Sequence, residues 1–423
     1  MAAKKVSKKV TSRAPSSPKK TAPSSVASQV YALASKAIQK TTSKTPIALS
    51  RKPLPCVPTG SISLDNLIGG NLSPDKTGPI CPGYPRGHIT EIFGAEASGK
   101  TTLALEAIVE VQKQGGTAMF LDYEHALHHG YAAAIGVDFS NLLFYQPDNM
   151  EEGLEMLRIG VAAGADLIVV DSVAAMVPQA DMEKKFNESD QLGNRARKLA
   201  SALPKVVKLL RTPSERNPNG AAAILINQTR ATISTGPSYA KGSSINTAGG
   251  FALKFFAYLR LHATGIRTER VKQKDPVTKK EKNIPYGTCT QVKVIKSKVD
   301  AKQGQTTELF IRFGQGIDDY HTIIESAEAH KVIKRSGAFY LLGEHKFQGR
   351  EKLRNWLIDN PSEFEKLQAE VLKYIRAQGV LVEEEDDQAL EIDDIIAQAE
   401  GAEDEDEDSY QEAEEVLIEG SEA

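Results

Sequence analysis

One octapeptide constrains this chain more than any other: GAEASGKT, Gly94 to Thr101. It follows HITEIF (88–93), an apolar, β-branched run, and opens TTLALEAIVEVQKQ (101–114), whose apolar residues recur at helical spacing. G-x-x-x-x-G-K-[ST] between a strand and a helix is a phosphate-binding loop. Its glycines let the chain bend until backbone N–H groups face an anion, and the helix N-terminus adds positive potential. Gly94, Ala95, Glu96, Ala97, Ser98 and Gly99 would form the cradle, with Lys100 reaching the β/γ phosphates. Thr101 and Thr102 open the helix, and the Thr101 hydroxyl would ligate magnesium.

Four more strand-like runs follow: TAMFLDY (117–123), NLLFYQ (141–146), DLIVVDSV (166–173) and AAAILIN (221–227). Helical patterns such as MEEGLEMLRIGVAAG (150–164) separate them, which implies a parallel sheet covered on both faces. Such sheets bind ligands at the carboxyl ends of their strands. LIVVD ends there in Asp171, the expected metal-side carboxylate, although buried strands also stop at solvated acids. MFLDYEHAL supplies Asp122 and Glu124. Strand alternation carries Glu124 past the last buried position, so it is the better base for orienting water, while Asp122 could instead cap the next helix. His125 and His129 fall i, i+4 if EHALHH is helical, but no third ligand cluster accompanies them and a metal is not expected there.

Past residue 250 the rhythm changes. FAYLRLHAT, TCTQVKVIKSKV and TTELFIRF read as consecutive strands, an antiparallel extension of the sheet. A smaller unit starts at Gly316 with a helix (TIIESAEAHKV), a hairpin (AFYLLGEHKF) and two more helices. Between AAAILI and FALKFFAYLRL lies NQTRATISTGPSYAKGSSINTAGG (227–250), Gly/Ser-rich and free of acid. A loop that long has a function or is disordered.

Charge is divided sharply along the chain. Residues 1–64 hold twelve Lys or Arg and no acid; residues 377–423 hold twenty Asp or Glu and no base. The formal −3 therefore covers a basic arm, a mildly basic body and an acidic tail, a pattern suited to a polyanionic partner with an internal competitor. Three cysteines without C-x-x-C spacing argue against a disulfide framework and fit a reducing cytoplasm. No apolar run is long enough for a membrane span. The acid-free, Ser-rich start shares features with transit peptides but is Lys-rich and broken by prolines.

GAEASGKTTL, LDYEHAL, LIVVDSVAA, INQ before the Gly-rich loop, GGFALKFFAYLRL, QVKVIKSK and FQGREKLRNWLIDNP occur in one order and together resemble the bacterial RecA recombinase family over roughly residues 25–380. That resemblance implies an α/β fold: a RecA-type ATPase core (59–315) with a mostly parallel sheet, an N-terminal polymerisation helix (26–58) and a small α+β C-terminal domain (316–380) that binds duplex DNA. A disordered basic arm (1–25) and acidic tail (381–423) would flank them. It implies ATP and Mg2+ as cofactors, Gln228 as the γ-phosphate sensor and Tyr131 stacking on adenine. Lys296 and Lys298 would reach a neighbouring protomer's ATP, and Phe255 would pack into the adjacent subunit. Two DNA loops are implied, with Leu192, Arg195 and Arg197 in the first and Arg230, Ile233, Lys241, Gly249 and Gly250 in the second.

The sequence departs from the pattern in a longer 70–86 segment, a longer second loop, a longer basic hairpin loop (265–287), His128 and Pro204 in place of Asp and Arg, and a bulky Tyr258. The implied activity is filament formation on single-stranded DNA, capture of a duplex and strand exchange, with DNA-stimulated ATP hydrolysis and a LexA-like repressor as a further partner. The alternatives are a hexameric helicase motor or a regulatory ATPase of the same superfamily that does not bind DNA. Lys331, Lys334 and Arg335 are the expected duplex-collecting surface, and the acidic tail would compete for it. Deleting 381–423 is therefore expected to tighten duplex binding; unchanged affinity at low magnesium and low salt overturns the competitor role.

Overall fold

Strands that are apolar at every residue need cover on both faces, and the central strands of this chain have it. The computed structural model describes residue 40 and residues 53–70, 80–183, 194–230, 246–247, 250–274, 281–299 and 303–380. The expected polymerisation helix, apart from Lys40, the 71–79 part of the long insertion, the basic arm and the acidic tail lie outside these residues. One unit extends to Arg51, and a larger one from Lys52 holds all the elements below.

In chain order the larger unit begins with β1 (Cys56–Val57), α1 (Ile62–Gly69), β2 (Tyr84–Pro85), β3 (Ile89–Gly94) and α2 (Lys100–Lys113). Then come β4 (Ala118–Asp122), α3 (His129–Ile135), β5 (Leu142–Tyr145), α4 (Met150–Ala162), β6 (Leu167–Asp171), α5 (Gln179–Met182), α6 (Asn194–Leu210) and β7 (Ala222–Arg230). β8 (Asn246–Thr247), α7 (Gly250–Phe256), β9 (Leu259–Lys274), β10 (Glu281–Ser297), β11 (Thr306–Arg312) and β12 (Gly316–Ile317) follow. The main sheet runs β12-β11-β10-β9-β3-β7-β6-β4-β5, with β8 beside the end of β7. From β5 to β9 every neighbouring pair on this path is parallel; from β9 to β12 every pair is antiparallel, as expected of the extension.

Alternation divides each parallel strand between two cores. Ile224 and Ile226 join Leu103, Leu105 and Ile108 of α2, whereas Ala223 and Leu225 join Leu157 of α4 and Leu199 and Leu203 of α6. A buried ion pair crosses the middle of the sheet: Arg260 Nε donates to Glu91 Oε2 at 2.5 Å, and Asn227 Nδ2 donates to Glu91 Oε1 at 2.9 Å. Three local expectations are corrected. α3 begins at His129 because the His128 ring nitrogen Nδ1 accepts from Tyr131 N–H and caps it, so His125 stands outside the helix. β7 runs on to Arg230, since Thr229 and Arg230 pair with Thr247 and Asn246. The 265–287 hairpin is a two-stranded ribbon that pairs as far as Lys274 and Glu281.

The C-terminal part is α8 (Asp319–Ala329), a meander of β13 (Lys334–Ser336), β14 (Phe339–Leu342) and β15 (His345–Gln348), then α9 (Arg350–Asp359) and α10 (Pro361–Val380). Its core of Ile323, Ile324, Tyr340, Leu353, Leu357 and Val371 is separate from the two sheet cores. Buried acids join it to the rest. Asp319 accepts from Ile62 N–H at 3.0 Å at the start of α1, and Glu106 of α2 accepts from Ile317 N–H at 2.7 Å. Asp65 accepts from Thr59 N–H at 2.9 Å.

Burial pushes Asp65 and Glu106 up to about 7 and Asp319 up to about 6, against the hydrogen bonds that favour their charged forms. Each folded-state value lies above its unfolded reference of 3.8 or 4.5, so folding favours the protonated form. That contribution is complete below about pH 4 and is lost as pH rises through the folded values. The part of thermal stability these groups supply should therefore fall between about pH 4 and pH 7, and Asp65→Asn or Glu106→Gln should flatten the slope. Equal slopes in wild type and both variants would show that these carboxyls do not control it.

Candidate active site

The phosphate loop stands at the carboxyl end of β3, beside the ends of β7 and β9. Gly94 pairs with Gln228 on one side and Ala263 on the other. A Cβ on Gly94 would lie 2.1 Å from the Ala263 carbonyl oxygen, so the close approach of these backbones requires glycine there. Gly99 has φ +87°, and its Cβ would meet Ile311 Cδ1 at 2.5 Å. Ala95, Glu96 and Ala97 are exposed on the loop, while α2 starts with neither a side-chain cap nor an acid in its first turn. The Ser98 hydroxyl is buried without a hydrogen-bond partner. A cradle with free helix N–H groups and an orphaned hydroxyl fits a phosphate chain.

Lys100 is buried, and its Nζ donates to the Ala95 carbonyl at 2.6 Å, folded back over the loop. Burial lowers its pKa, against the pull of Asp171, Glu124 and Glu96. Thr101 Oγ1 donates to Asp171 Oδ2 at 2.8 Å. Burial, helped by Glu124 and Asp122, pushes Asp171 up to about 6, although the Thr101 bond and Lys100 favour its charged form. A hydroxyl and a carboxylate short of positive charge at this spot fit a magnesium ion.

The two acids after β4 separate as strand alternation suggests. Asp122 is buried and accepts from Ala126 N–H, Leu127 N–H and Gln146 Nε2 at 3.2–3.3 Å, holding the turn that follows. Glu124 is exposed at the site. Its Oε1 accepts from Gln228 Nε2 at 2.8 Å and from the Ser172 hydroxyl. Ser172, joined to Asp171 by a cis peptide, is fully buried, and its link to Glu124 has no signal in sequence spacing. Tyr131 on α3 is half-buried, and its hydroxyl hydrogen-bonds Thr102 Oγ1 at 2.8 Å, which brings the ring beside the loop.

Lys296 and Lys298 stand elsewhere. Lys296 pairs with Arg260, and its Nζ donates to the Lys254 and Phe255 carbonyls at 2.7 and 2.9 Å, closing the end of α7. Lys298 N–H bonds Tyr258 O, and Tyr258 N–H bonds Ile89 O, so Lys298 is level with the start of β3. Five residues at about 3.3 Å each put Lys298 roughly 17 Å along the strand direction from Gly94. Phe255 is 70% exposed and Phe251, one turn earlier, 75% exposed.

Of the DNA-loop candidates, Leu192, Ile233, Lys241 and Gly249 lie outside the described residues. Arg195 donates to the Ala174 carbonyl at 2.7 Å, tying the start of α6 to the exit of β6, and Arg197 is exposed. Arg230 ends β7 and Gly250 opens α7. Pro204 lies within α6.

The model of the RecA N-terminal domain matches residues 31–318, and that of the RecA C-terminal domain matches residues 321–376. Protein RecA of Streptomyces ambofaciens is 39% identical over 356 residues, 84% of this chain and 86% of that protein. Protein RecA of Kineococcus radiotolerans is 42% identical over 313 residues, 74% of this chain and 80% of that one. The chain belongs to the RecA family. It is a DNA recombinase of that family: a DNA-dependent ATPase that forms filaments on DNA and exchanges homologous strands in repair. The helicase and non-DNA alternatives are not favoured, because both RecA models match this chain.

Asp122 and Glu124 are predicted to separate by measurement. Asp122→Ala removes three buried hydrogen bonds and should cost about 2 kcal/mol of stability. Glu124→Gln should leave the melting temperature unchanged and abolish ATP turnover. Equal melting losses in the two variants would contradict the division.

Proposed function

We propose that Glu124 orients the attacking water, that Lys100, the loop N–H groups and Ser98 hold the phosphates, and that Thr101 and Asp171 hold Mg2+. Bound there, the ion would neutralise charge on the transferring phosphoryl oxygens. Tyr131 borders the base. Gln228 carries the state of this site into the second DNA loop, and the observation that carries this reading is its 2.8 Å hydrogen bond to Glu124 from the strand that feeds the loop. A group at the γ-phosphate would compete with Glu124 for Gln228, and the strand end would respond.

Lys296 and Lys298, on the same reading, complete the site of a neighbouring protomer. Their position at the opposite end of the sheet supports a head-to-tail filament, the heterologous contact that generates open helices. Phe255, with Phe251 beside it, supplies the apolar contact. Arg195, Arg197, Arg230 and the rest of both loops bind single-stranded DNA, and Lys331, Lys334 and Arg335, all exposed, collect the duplex. The filament acts in the cytoplasm, where it would also serve as the surface on which a LexA-like repressor cleaves itself.

ATPase activity with and without single-stranded DNA, in wild type and in Lys100→Ala and Glu124→Ala, tests the site: both variants should lose the DNA-stimulated rate. Mixing tests the sharing. Glu124→Ala supplies intact lysines and Lys298→Ala an intact hydrolytic end, so a random equal mixture should regain about a quarter of wild-type activity through complete interfaces. No recovery in mixed filaments would place Lys298 in its own protomer's chemistry.

A further inference from the structure

Two of the three cysteines lie outside everything assigned above, and they lie together. Cys56, in β1, is half-buried; Cys81, in the turn before β2, is fully buried. The two segments run side by side: Leu54 N–H donates to Ile80 O at 2.8 Å, Arg86 N–H to Pro55 O at 2.9 Å, and Cys56 faces Pro85 in the ladder. Cys56 Sγ donates to the carbonyl oxygen of Pro82, the residue after Cys81, at 3.5 Å, and Cys81 Sγ donates to the next carbonyl, that of Gly83, at 3.5 Å, so both thiols lie against the same short turn. Cys81 has little freedom to retreat. A Cβ on Gly69 would meet its carbonyl oxygen at 2.6 Å and Val299 Cγ1 at 2.9 Å, so its backbone is wedged between α1 and the end of β10.

We propose that Cys56 and Cys81 are a peroxide-responsive pair that closes to a disulfide and reopens with thiol reductants. The environment divides the roles. The neighbouring Cys81 thiol lowers the Cys56 pKa against burial and the nearby Asp65, with Arg86 assisting. Cys81 is held well above the ordinary thiol value by its neighbour Cys56 and by burial. The accessible, more acidic thiol is the attacker and the buried one the resolver.

The Cys56 thiolate attacks one oxygen of a hydroperoxide. The O–O bond breaks, Cys56 becomes a sulfenic acid, and the leaving oxygen takes a proton as water or alcohol. The Cys81 sulphur then attacks the Cys56 sulphur, the S–O bond breaks, and hydroxide departs with the Cys81 proton as water. Two thiols lose two electrons to one peroxide. The closed loop contains α1, which packs on α8 and β11, and its crossing point adjoins the 296–299 segment. A reducing compartment keeps the pair open until peroxide rises.

The test uses the full-length chain, hydrogen peroxide, alkylation and peptide mass mapping. The expected product has lost two hydrogen atoms, joins the Cys56 and Cys81 peptides, leaves Cys289 free and reverts with dithiothreitol. Cys81→Ser should stop at a Cys56 sulfenic acid trapped by a 1,3-dione, and Cys56→Ser should give neither species. The proposal is overturned if both thiols of the wild type remain alkylatable after peroxide, if Cys289 is in the bond, or if Cys56→Ser reacts as fast as wild type. The mapping on wild type needs no variant to fold, and its result is independent of any ATPase or DNA measurement.

Discussion

The carboxylate of Glu124 is the point at which the separate parts of this molecule meet. β4 presents it, the Ser172 hydroxyl after β6 fixes it, and Gln228 of β7 shares its Oε1. Three strands thus contribute to one oxygen. Because those strands are parallel and adjacent, their carboxyl ends lie on one edge, and no long side chain is needed to bring the groups together. The phosphate loop joins the same edge through the Gly94–Gln228 pairing, so the residue that meets Glu124 is also the register partner of the loop's first glycine. Any shift of β7 against β3 changes both contacts at once.

What the sequence made legible was what is local. The phosphate loop is contiguous, and its glycines are required by nearby backbone and side chains. The strand pattern was legible because burial on both faces leaves unbroken apolar runs. Alternation ranked Glu124 above Asp122; Asp122 holds the turn at Ala126 and Leu127, while the helix cap that was its alternative belongs to His128. The contacts hidden from the sequence are those between residues far apart. Ser172 looks like any residue after a strand, and Arg195 looks like a free loop arginine until its bond to Ala174 is seen. His128 stands where the family pattern has Asp. Its ring takes over the capping that a short carboxylate performs, by accepting from Tyr131 N–H. The cysteines show the same limit: spacing of 25 residues without a motif gave no reason to place them side by side.

Enclosed charge as well as apolar contact ties the C-terminal part to the rest. Asp318 caps α8 and also accepts from Arg312 at 3.0 Å and Arg354 at 2.6 Å, joining β11, α8 and α9. Glu269 of the long ribbon accepts from Arg350 and from the Tyr286 hydroxyl and lies 3.7 Å from His321, and these partners hold it well below the usual carboxylate range. Asp319 and Glu106, by contrast, are protonated more easily than ordinary acids. One junction therefore contains carboxyls displaced in both directions. Breaking an enclosed ion pair leaves a stranded charge, whereas protonating an enclosed lone acid relieves one. The ribbon side is thus fixed across the neutral range, and the α1–α2 side softens as pH rises.

Strand direction also explains why Lys296 and Lys298 stand far from the phosphate loop of their own chain. β9 runs parallel to β3 and β10 returns antiparallel, so the end of β10 is carried to the edge opposite the phosphate loop. Lys296 and Lys298 are delivered there, next to the exposed phenylalanines of α7. A lysine side chain spans far less than the roughly 17 Å back to the loop. On the proposed reading, cations placed so far from their own phosphate loop, beside exposed phenylalanines, would serve the phosphates of another molecule. Lys296 satisfies two carbonyls at the end of α7, and on that reading it would release them to reach a neighbour's nucleotide. Engagement of the next subunit and loosening of the α7 end would then be one event, and α7 directly follows the segment proposed as the second DNA loop. The same helix end would therefore couple subunit contact to DNA contact.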